Sequence, residues 1–573
     1  MKVNNIYKEN ETVTLENYLT KCGVKDIKEF INPTGKYIET TDKYSNDDMD
    51  SAIRILTENK DISIIIVQDG DTDGICSAVI LYQYLALISN KYDIQILIHT
   101  SKQRGLDDEN IMNEIRKQKP NVVIVPDAGT NNKEQAEELD KLGIKLIVID
   151  HHDYKEPIEK GILINNQNPN YTCQRNGSGA LVTHKFLQRF DTHIGENWSS
   201  YLIDLVALSL VSDSMNMSEM ENREYYHYGL ERYENITNTF LSACIAKFIG
   251  ENKEYTQRDL SFKVIPKFNS ICRCQDQELK EKLILAFIGL GDIKEMLELC
   301  KQAHENQQNK VAEIIENNKD KIEELSNNNI VIFASDEIPR SYSGLVCGKV
   351  MNLSGNKPSL VGSIKNGTFL GSLRSPIPLR SQLDNSDLVD WANGHEDSCG
   401  IQIQAENIQK LIDYYNGQEL DYSPHIDVLN TYSIKSIPRN LYGLFEPYMA
   451  FFGKGIEQPK FYIKDIVITP NNISILGSNK RTLKIHTEYA DLMIFNCTKQ
   501  DKVDLGLGYY NEKDEFIEDR KDITFDMTCV GSLCLNRYTS KKNGKTYITN
   551  QIVIDKYELK KHKILRKEDL FKL

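Results

Sequence analysis

Short runs of isoleucine and valine alternate with longer mixed stretches between residues 61 and 150. Runs such as "ISIIIVQ" and "KLIVID" are short and continuous, which is typical of strands buried on both faces of a sheet. Stretches that resemble helices, such as "GICSAVILYQYLALI" and "KEQAEELDKLG", separate these runs. The alternation predicts an α/β domain built on a parallel sheet with helices on both faces.

The pattern changes several times along the rest of the chain. Between residues 445 and 555, many short strand patterns are separated by turn residues, which predicts a small β-barrel or sandwich. Long charged helical patterns precede a second, smaller α/β pattern. The predicted regions are a helical lead-in (1–60), the parallel-sheet domain (61–255), a helical connector (256–328), the smaller α/β domain (329–420), the β-rich domain (445–555) and a basic tail (556–573).

The size and charge of the chain limit the classes of function. A chain of 573 residues is too long for one hydrophobic core, so two to four domains are expected. The formal net charge of −14 argues against a general polyanion binder that is attracted by its overall field. A local basic groove, or divalent cations bound to acidic clusters, would still allow binding to nucleic acid.

The sequence also predicts a cytoplasmic protein that does not enter a membrane. No apolar run approaches the roughly 18 residues of a membrane span, and the N-terminus "MKVNNIYKENETV" has no apolar signal core. The twelve cysteines are scattered without CxxC pairs. They are therefore expected to be reduced thiols rather than zinc ligands or disulfides.

Acidic residues follow several of the predicted strands. Since the carboxyl ends of parallel strands lie at one edge of a sheet, and ligands bind beyond that edge, residues after different strands should meet there. Three aspartates that follow "ISIIIVQ" would repel one another and resist losing water, so a positive charge should compensate them. The candidate residues are Asp69, Asp71, Asp73, Asp127, Asp150, His151, His152 and, after an apolar helical stretch, Asp213.

This set of side chains suits hard divalent cations. Magnesium and manganese take oxygen ligands, and manganese also accepts imidazole. Two such ions bound by several carboxylates can activate water and stabilise the leaving oxygen in phosphodiester cleavage. A lone "DxD" is more often a turn or a helix cap, and a lone "DHH" can be a cap followed by packed histidines. The ordered combination at strand ends favours two Mn²⁺ or Mg²⁺ ions.

The ordered motifs resemble the DHH phosphoesterase superfamily, and within it the RecJ single-stranded-DNA exonucleases. "VQDGDTDG", "VPDAGTNN", "IDHHD" and "DLVALSLVSDSM" are similar to four successive motifs of the phosphoesterase domain. "PKFNSICR" resembles the family's "PRINAAGR", and "GSLRS" and "NGHEDSCG" resemble motifs of its DHH-associated domain. The resemblance covers most of the chain. It implies a DHH domain, a DHH-associated domain and a C-terminal OB-like β-barrel.

The resemblance implies roles for the residues that match the metal-binding motifs. Asp71 and Asp73 should each bind one metal, and Asp127 should bridge both ions. His151 and Asp213 should complete the second metal site.

Three further residues have implied roles at the metal centre. Asp150 should orient a neighbouring imidazole through a hydrogen bond, and His152 should contact the scissile phosphate or assist proton transfer. The family's leading histidine is replaced here by Val67, so the first metal loses a nitrogen ligand. Asp69 is the candidate substitute.

The resemblance also implies substrate contacts outside the metal centre. Ser372 and Arg374 resemble a pocket for a 5′-phosphate, for which a guanidinium fork is well suited. Gly394 and His395 should line the cleft from the DHH-associated domain, and Arg273 lies in the motif that resembles "PRINAAGR". The structural alternatives are a surface salt bridge for Arg374 and a packed turn position for His395.

The function implied is metal-dependent 5′→3′ exonuclease activity on single-stranded DNA, in replication, recombination or repair. OB folds bind single strands through stacking and a positive groove, and Tyr462, Phe495 and Tyr538 are either stacking residues or barrel core. The alternatives are a DHH phosphodiesterase on short oligonucleotides or cyclic dinucleotides, and a non-catalytic DNA-binding scaffold. A monomer is expected, with a single-strand-binding protein or a helicase as candidate partners.

Overall fold

The computed structural model of the protein describes residues 2–8, 11–38, 40–58, 61–99, 105–250, 254–273, 276–419, 426–539 and 544–562. The chain forms two units. The larger unit consists of Lys28–Tyr422 with Gly453–Gly455, and the smaller unit consists of Met1–Ile27, Ser423–Phe452 and Ile456–Leu573. The predicted lead-in (1–60) is thus divided between the two units.

The strands of the described chain form separate sheets in the two units. They are β1 (Val3–Asn5), β2 (Ile62–Gln68), β3 (Tyr92–Ile98), β4 (Val122–Pro126), β5 (Lys145–Asp150), β6 (Ile162–Asn165), β7 (Val331–Ala334), β8 (Ser359–Lys365), β9 (Thr368–Arg374), β10 (Trp391–His395), β11 (Ser398–Gln404), β12 (Ile426–Val428), β13 (Thr431–Ser433), β14 (Phe461–Ile468), β15 (Ile473–Leu476), β16 (Thr482–His486), β17 (Asp491–Phe495), β18 (Gly508–Tyr510), β19 (Phe516–Glu518), β20 (Phe525–Thr539) and β21 (Thr546–Lys561).

Most of the helices belong to the larger unit. They are α1 (Leu15–Lys21), α2 (Ile27–Ile31), α3 (Asn46–Thr57), α4 (Thr72–Ile88), α5 (Glu109–Gln118), α6 (Lys133–Lys141), α7 (Gly179–Ile194), α8 (Ile203–Ser212), α9 (Met220–Gly229), α10 (Thr239–Phe248), α11 (Gln257–Asp259), α12 (Ile265–Cys272), α13 (Gln277–Phe287), α14 (Ile293–Asn317), α15 (Lys319–Leu325), α16 (Ser343–Leu353), α17 (Arg380–Asp384), α18 (Ile408–Asn416) and α19 (Lys499–Asp504).

The predicted parallel sheet is confirmed. Its strand order is β3-β2-β4-β5-β6, and every neighbouring pair is parallel. Alternate residues of the central strands face opposite sides, and one side packs on α5 and α6 through a cluster that includes Val123, Val148, Ile115 and Leu139. Helices α4, α7 and α8 pack against one another, and α4 and α7 also pack against the sheet. Burial on both faces explains why the strands read as continuous apolar runs.

A helical connector and a second sheet complete the larger unit. Helix α14 is 25 residues long and precedes a mixed sheet of order β10-β11-β9-β8-β7. In this sheet β7 and β8 are parallel, whereas the other neighbours are antiparallel. Helix α16 packs on β8 and β9, so this region has the α/β character that the sequence predicts.

The predicted OB-like barrel is not closed in the described part of the chain. The smaller unit contains a seven-stranded sheet of order β13-β14-β20-β21-β17-β16-β15. Closure would require the two edge strands, β13 and β15, to pair with each other, and they do not among the described residues. The N-terminal strand β1 belongs to the same unit, where it pairs in parallel with β12. Alternation of apolar residues predicts strands well, but it does not specify whether the outer strands meet.

The remaining predictions concern the tail, the cysteines and the membrane. The predicted basic tail (556–573) begins as strand, because β21 extends to Lys561, and residues 563–573 lie outside the described residues. The eleven cysteines in the described part all carry free thiols. No helix among the described residues has the length and apolarity needed to cross a membrane.

Candidate metal centre

The acidic residues meet at the carboxyl edge of the parallel sheet. Strands β2, β4 and β5 are neighbours. Asp69 follows the first of them, Asp127 follows the second and Asp150 ends the third. Asp213 caps the C-terminus of α8. The edge therefore collects side chains from segments that are far apart in sequence, as the pattern predicts.

Two of the aspartates are fixed by helix termini. The Asp71 carboxylate caps α4 by accepting hydrogen bonds from the backbone N–H groups of Asp73 and Gly74, at 3.1 and 3.3 Å. Asp73 lies in the first turn of α4 and is buried. Its carboxylate accepts hydrogen bonds from the N–H groups of Gly179 and Ala180, at 2.8 and 3.0 Å. The N-terminus of α7 thus stabilises the Asp73 charge.

Asp127 has a backbone conformation that is unusual for a residue with a side chain. Its φ is +68°, which is in the left-handed region that aspartate tolerates better than most residues. Its N–H donates to the Ile149 carbonyl at 2.8 Å, so the turn is fixed by the neighbouring strand. A Cβ atom at Gly179 would overlap the Asp127 carboxylate. The close approach of α7 therefore requires glycine at position 179.

His151 lies at the centre of the cluster. Its Nε2 atom is 3.1 Å from Asp127 Oδ1, 3.7 Å from Asp213 Oδ2 and 3.8 Å from Asp73 Oδ2. One imidazole nitrogen thus faces three carboxylates from three different segments.

Asp150 is surrounded by hydrogen-bond donors. Its Oδ1 atom accepts from the N–H groups of His151 and His152, at 2.7 and 3.2 Å, and lies 2.8 Å from His152 Nδ1. Its Oδ2 atom accepts from Thr130 N–H and Oγ1, at 3.0 and 2.6 Å. Burial alone would raise the pKa of Asp150, but the His152 charge and these donors hold the pKa well below its usual range. Asp150 is therefore an ionised support for the two histidines.

The carboxylates of Asp73, Asp127 and Asp213 have raised pKa values. Burial is the main cause at Asp213, where His151 partly opposes it and Asp73 adds repulsion, and the pKa is about 7. Burial and the Asp73 charge raise the pKa of Asp127 well above its usual value. Burial lowers the pKa of His151, but hydrogen bonding to Asp127 and the charge of Asp213 more than reverse that effect. Without cations, this cluster holds more negative charge than it can neutralise.

The donor atoms fit divalent cations. Three groups among the described residues have all their candidate ligand atoms within 4.8 Å of one another: Asp73 with His151 and Asp213, Asp69 with Asp71 and Asp127, and Asp127 with Asp150, His151 and His152. Carboxylate oxygens with one imidazole nitrogen are the donors that Mn²⁺ and Mg²⁺ use. The overlap at Gly179 shows that the surrounding backbone is fitted closely to the carboxylates. The acidic cluster could therefore hold two metal ions.

The predicted 5′-phosphate residues lie together on β9. Ser372 is buried, and its Oγ atom is 2.8 Å from Ser343 Oγ at the start of α16. A Cβ atom at Gly344 would lie 2.8 Å from an Arg374 guanidinium nitrogen. The guanidinium thus lies against the first turn of α16. Ser372 and Arg374 thus contact α16 and their own strand, β9.

The other predicted substrate residues have different surroundings. Gly394 and His395 are exposed at the end of β10. Their neighbour Asn393 accepts a hydrogen bond from Lys155 at 3.4 Å, and Lys155 follows the histidine pair by three residues. Arg273 follows α12, one turn after Asn269. Asn269 accepts from the N–H and Oγ1 of Thr72, at 3.1 and 2.8 Å, which ties α12 to residues 69–73, here called the acidic segment.

Sequence reasoning did not identify several supporting residues of the centre. They are Thr130 and Asn165, which support the DHH motif, Gly179 and Ala180, which bind Asp73, and Asn269. The Asn165 side chain donates to Thr130 Oγ1 at 2.6 Å and to the His152 carbonyl at 3.0 Å. Gly179 and Ala180 could have been identified from the stretch "NGSGAL". A serine cap between glycines, followed by an apolar run, indicates the start of a closely packed helix.

The fold and the site together define a DHH domain. Residues 63–210 match the sequence profile of the DHH family, N-terminal domain. The larger unit thus contains a DHH-family domain whose motif residues lie at the carboxyl edge of its sheet.

Curated relatives extend the similarity over nearly the whole chain. The chain is 25% identical to the putative SPbeta prophage-derived single-strand DNA-specific exonuclease YorK of Bacillus subtilis (strain 168), covering 97% of both sequences. It is 21% identical to the single-stranded-DNA-specific exonuclease RecJ of the same organism, over 86% of this chain and 61% of the relative. The chain is therefore homologous to proteins named as single-strand DNA-specific exonucleases.

Solved structures confirm a RecJ-like fold. RecJ from Thermus thermophilus in complex with Mn²⁺ matches with a TM-score of 0.68 and 16% identity, over 93% of this chain and 74% of that one. The Mg²⁺ complex of RecJ from the same organism matches with a TM-score of 0.63 and 15% identity, over 92% of this chain and 72% of that one. At this identity the likeness concerns the fold.

Proposed function

We propose that this protein is a metal-dependent exonuclease that degrades single-stranded DNA from the 5′ end. The observation that carries the proposal is the convergence of Asp73, Asp127, His151 and Asp213 from four segments onto one point. Their donor atoms lie close enough together to hold a cation. The names of the homologues support DNA as the substrate.

We assign the metal ligands in two overlapping groups. Asp71, with Asp69 in place of the nitrogen lost at Val67, holds the first ion. Asp73, His151 and Asp213 hold the second ion, and Asp127 is shared. When bound, two Mn²⁺ or Mg²⁺ ions supply an activated water and stabilise the charge of the leaving oxygen.

The residues of the chain then have distinct tasks. Asp150 is a positioning residue, because its hydrogen bond at 2.8 Å fixes the ring and the tautomer of His152. We assign the Nε2 side of His152 to the scissile phosphate or to proton transfer. Its side chain is partly exposed, whereas Asp150 is buried, so a substrate can reach the imidazole but not the carboxylate.

A second group of residues recognises the 5′ end. Arg374 and Ser372, beside the first turn of α16, offer a guanidinium fork, a hydroxyl and a helix N-terminus to a terminal phosphate. Gly394 and His395 line the path of the strand from the DHH-associated domain, and Arg273 contacts its backbone. The polarity of degradation follows from this assignment.

The smaller unit contributes binding to the strand beyond the reacting end. We assign an OB-like role to its seven-stranded sheet, with Phe495 and Tyr538 as stacking residues, since both rings are about half exposed. Tyr462 is more buried than these two rings. We further propose that the protein is a cytoplasmic monomer, with a single-strand-binding protein or a helicase as its partner in replication, recombination or repair.

One assay tests the function. Purified full-length protein with Mn²⁺ is given 5′-phosphorylated single strands, duplexes, RNA and dinucleotides, each at the same concentration. Release of mononucleotides from the 5′ end of single-stranded DNA supports the proposal. Preferred cleavage of dinucleotides would indicate a DHH phosphodiesterase on short substrates. Strand binding without cleavage would indicate a scaffold.

A further inference from the structure

A buried asparagine lies between the loop that precedes α7 and the loop that follows α8. This residue, Asn222, is on α9 and is 0% exposed. Its side-chain nitrogen donates hydrogen bonds to the Asn176 carbonyl at 2.7 Å and to the Asn216 carbonyl at 2.9 Å. Its Oδ1 atom accepts a hydrogen bond from the Gln174 side chain at 2.9 Å. Both amide hydrogens and the amide oxygen of Asn222 are therefore used.

The loop after α8 begins with the candidate metal ligand Asp213. The next residue, Ser214, has a φ of +56°, so the chain turns sharply at once. Two residues further on, the Asn216 N–H donates to the side-chain oxygen of Asn176, and the Asn216 carbonyl accepts from Asn222. The loop that carries Asp213 is thus fixed by two asparagine side chains.

The loop before α7 leads to the hydrogen-bond donors of Asp73. Asn176 precedes Ser178, the N-cap residue of α7, by two positions. The N–H groups of the next two residues, Gly179 and Ala180, donate to the Asp73 carboxylate at 2.8 and 3.0 Å. A shift of this loop would therefore move the groups that hold Asp73.

We propose that Asn222 is a positioning residue for the second metal ion. It joins the loop that carries Asp213 to the loop that sets the donors of Asp73, and we assign both carboxylates to that ion. Their oxygens lie 3.7 and 3.8 Å from the same nitrogen of His151. One buried amide thus maintains the spacing between two ligands that come from different helices. The inference rests on the proposed metal-dependent function.

The spacing has to be maintained because carboxylates that share a cation repel each other until the cation binds. Loops that are already ordered lose little conformational entropy when the ion binds. Hydrogen bonds from a buried amide provide this order, since water does not compete for them. Without these bonds, the second ion should bind more weakly.

The first ion should be affected much less. We assign it to Asp69 and Asp71, which follow β2, and to the shared Asp127, whose N–H is bound by the Ile149 carbonyl of β5. None of the three lies on the loops that Asn222 joins. Selective weakening of one of two metal ions therefore distinguishes a positioning role from a general contribution to stability.

The experiment compares Asn222→Leu with Asn238→Leu in the full-length protein. Leucine is uncharged and similar in size to asparagine, but it cannot donate a hydrogen bond. Asn238 is also buried, and its side chain donates to the Phe287 carbonyl at 2.8 Å, outside the two loops. Mn²⁺ binding is measured from the electron paramagnetic resonance signal of the free ion, and thermal unfolding is measured without metal. Asp213→Asn identifies which of the two bound ions is the second.

We expect Asn222→Leu to raise the dissociation constant of the second Mn²⁺ on the order of tenfold, the effect typical of residues that support metal ligands. The dissociation constant of the first Mn²⁺ should change little. Asn238→Leu should lower the unfolding temperature without changing either constant.

Equal weakening of both ions, or of neither, in a folded Asn222→Leu protein would overturn the proposal and leave Asn222 as a residue that only stabilises the fold. If Asn222→Leu does not fold, Asn222→Ala removes the same donors with a smaller side chain and is measured in the same way. Failure of the wild-type protein to bind two Mn²⁺ ions would instead contradict the proposed function itself. The two failures are thus distinguishable.

Discussion

The two sheets of the larger unit present their candidate site residues in opposite ways. At the edge of the parallel sheet, the carboxylates are mostly buried, and neighbouring backbone fixes their positions, as Asp73 and Asp127 illustrate. In the mixed sheet, the candidate residues Gly394 and His395 are exposed, whereas Ser372 is buried.

This difference indicates different physical requirements. A metal centre needs ligand atoms at fixed distances, so its carboxylates must be held against their own repulsion. A surface that binds a phosphate needs positive charge on side chains long enough to contact it. These side chains can adjust when the strand binds. Loss or displacement of a ligand carboxylate should therefore damage the first site most, whereas loss of a positive charge should alter selectivity at the second.

The largest effect is expected for Asp127→Asn. Asparagine tolerates the left-handed backbone at this position, so the fold should persist while the shared carboxylate is lost. We expect cleavage of single-stranded DNA to fall at least roughly 10²-fold, since charge stabilisation by metal ions contributes several kcal/mol.

The matched control for Asp127→Asn is Asp465→Asn, which changes another aspartate with a left-handed backbone in the smaller unit. It should leave the cleavage rate unchanged. Turnover within a few-fold of wild type by a folded Asp127→Asn protein would refute the assignment of Asp127 as a shared ligand.

A somewhat smaller effect is expected for Gly179→Ala. The added methyl group would overlap the Asp127 carboxylate, so α7 or the carboxylate must move, and we expect roughly a 10- to 100-fold loss of activity with weaker Mn²⁺ binding. Gly348→Ala, within α16, places its methyl group in open space and should change neither quantity. Normal Mn²⁺ affinity in Gly179→Ala would show that the parallel-sheet edge is less rigid than its contacts suggest.

The parallel sheet and the residues of its acidic edge can be predicted from the sequence. The residue pattern shows which strands are buried, and the alternation with helices shows that the strands are parallel. Continuous apolar runs mark β2, β4 and β5, and the ends of parallel strands must share one edge. The supporting contacts are harder to predict. Asn269 binds Thr72 across 197 positions of sequence, and a single asparagine carries no pattern that indicates such a partner.

The smaller unit shows a second limit of sequence reasoning. Its strands are predicted from alternating apolar positions, but closure into a barrel depends on whether β13 and β15 pair. That depends on strand tilt and register rather than on residue type. The assignment of β1 to this unit is likewise not predictable, because a three-residue strand pairs with β12 more than 400 positions later.

An intermediate effect on selectivity is expected for Arg374→Gln. Loss of the guanidinium removes a charged fork but moves no metal ligand, so cleavage of 5′-phosphorylated strands should fall roughly tenfold while cleavage of 5′-hydroxyl strands changes little. Arg380→Gln is the control, because Arg380 belongs to the same region and is paired with Glu396 at 2.9 Å. Equal losses on both substrates in Arg374→Gln would make Arg374 a general backbone contact or a structural residue.

The smallest effect is expected in the smaller unit. Deletion from residue 445 would also remove Gly453–Gly455, which belongs to the larger unit, so point substitutions are the cleaner test. The rings of Phe495 and Tyr538 are 51% and 58% exposed, and stacking of one base on such a ring contributes about 1–3 kcal/mol.

We therefore expect Phe495→Ala and Tyr538→Ala each to weaken binding of a long single strand by about fivefold, near the lower end of that range. Cleavage of very short oligonucleotides should be unchanged. Because neither substitution removes a charge, the salt dependence of binding should keep its slope.

Binding is measured at several salt concentrations. The control is Tyr509→Ala, since Tyr509 is equally exposed but lies on the separate strand pair β18–β19. Unchanged affinity in both variants would assign this sheet to another task, such as binding a partner protein.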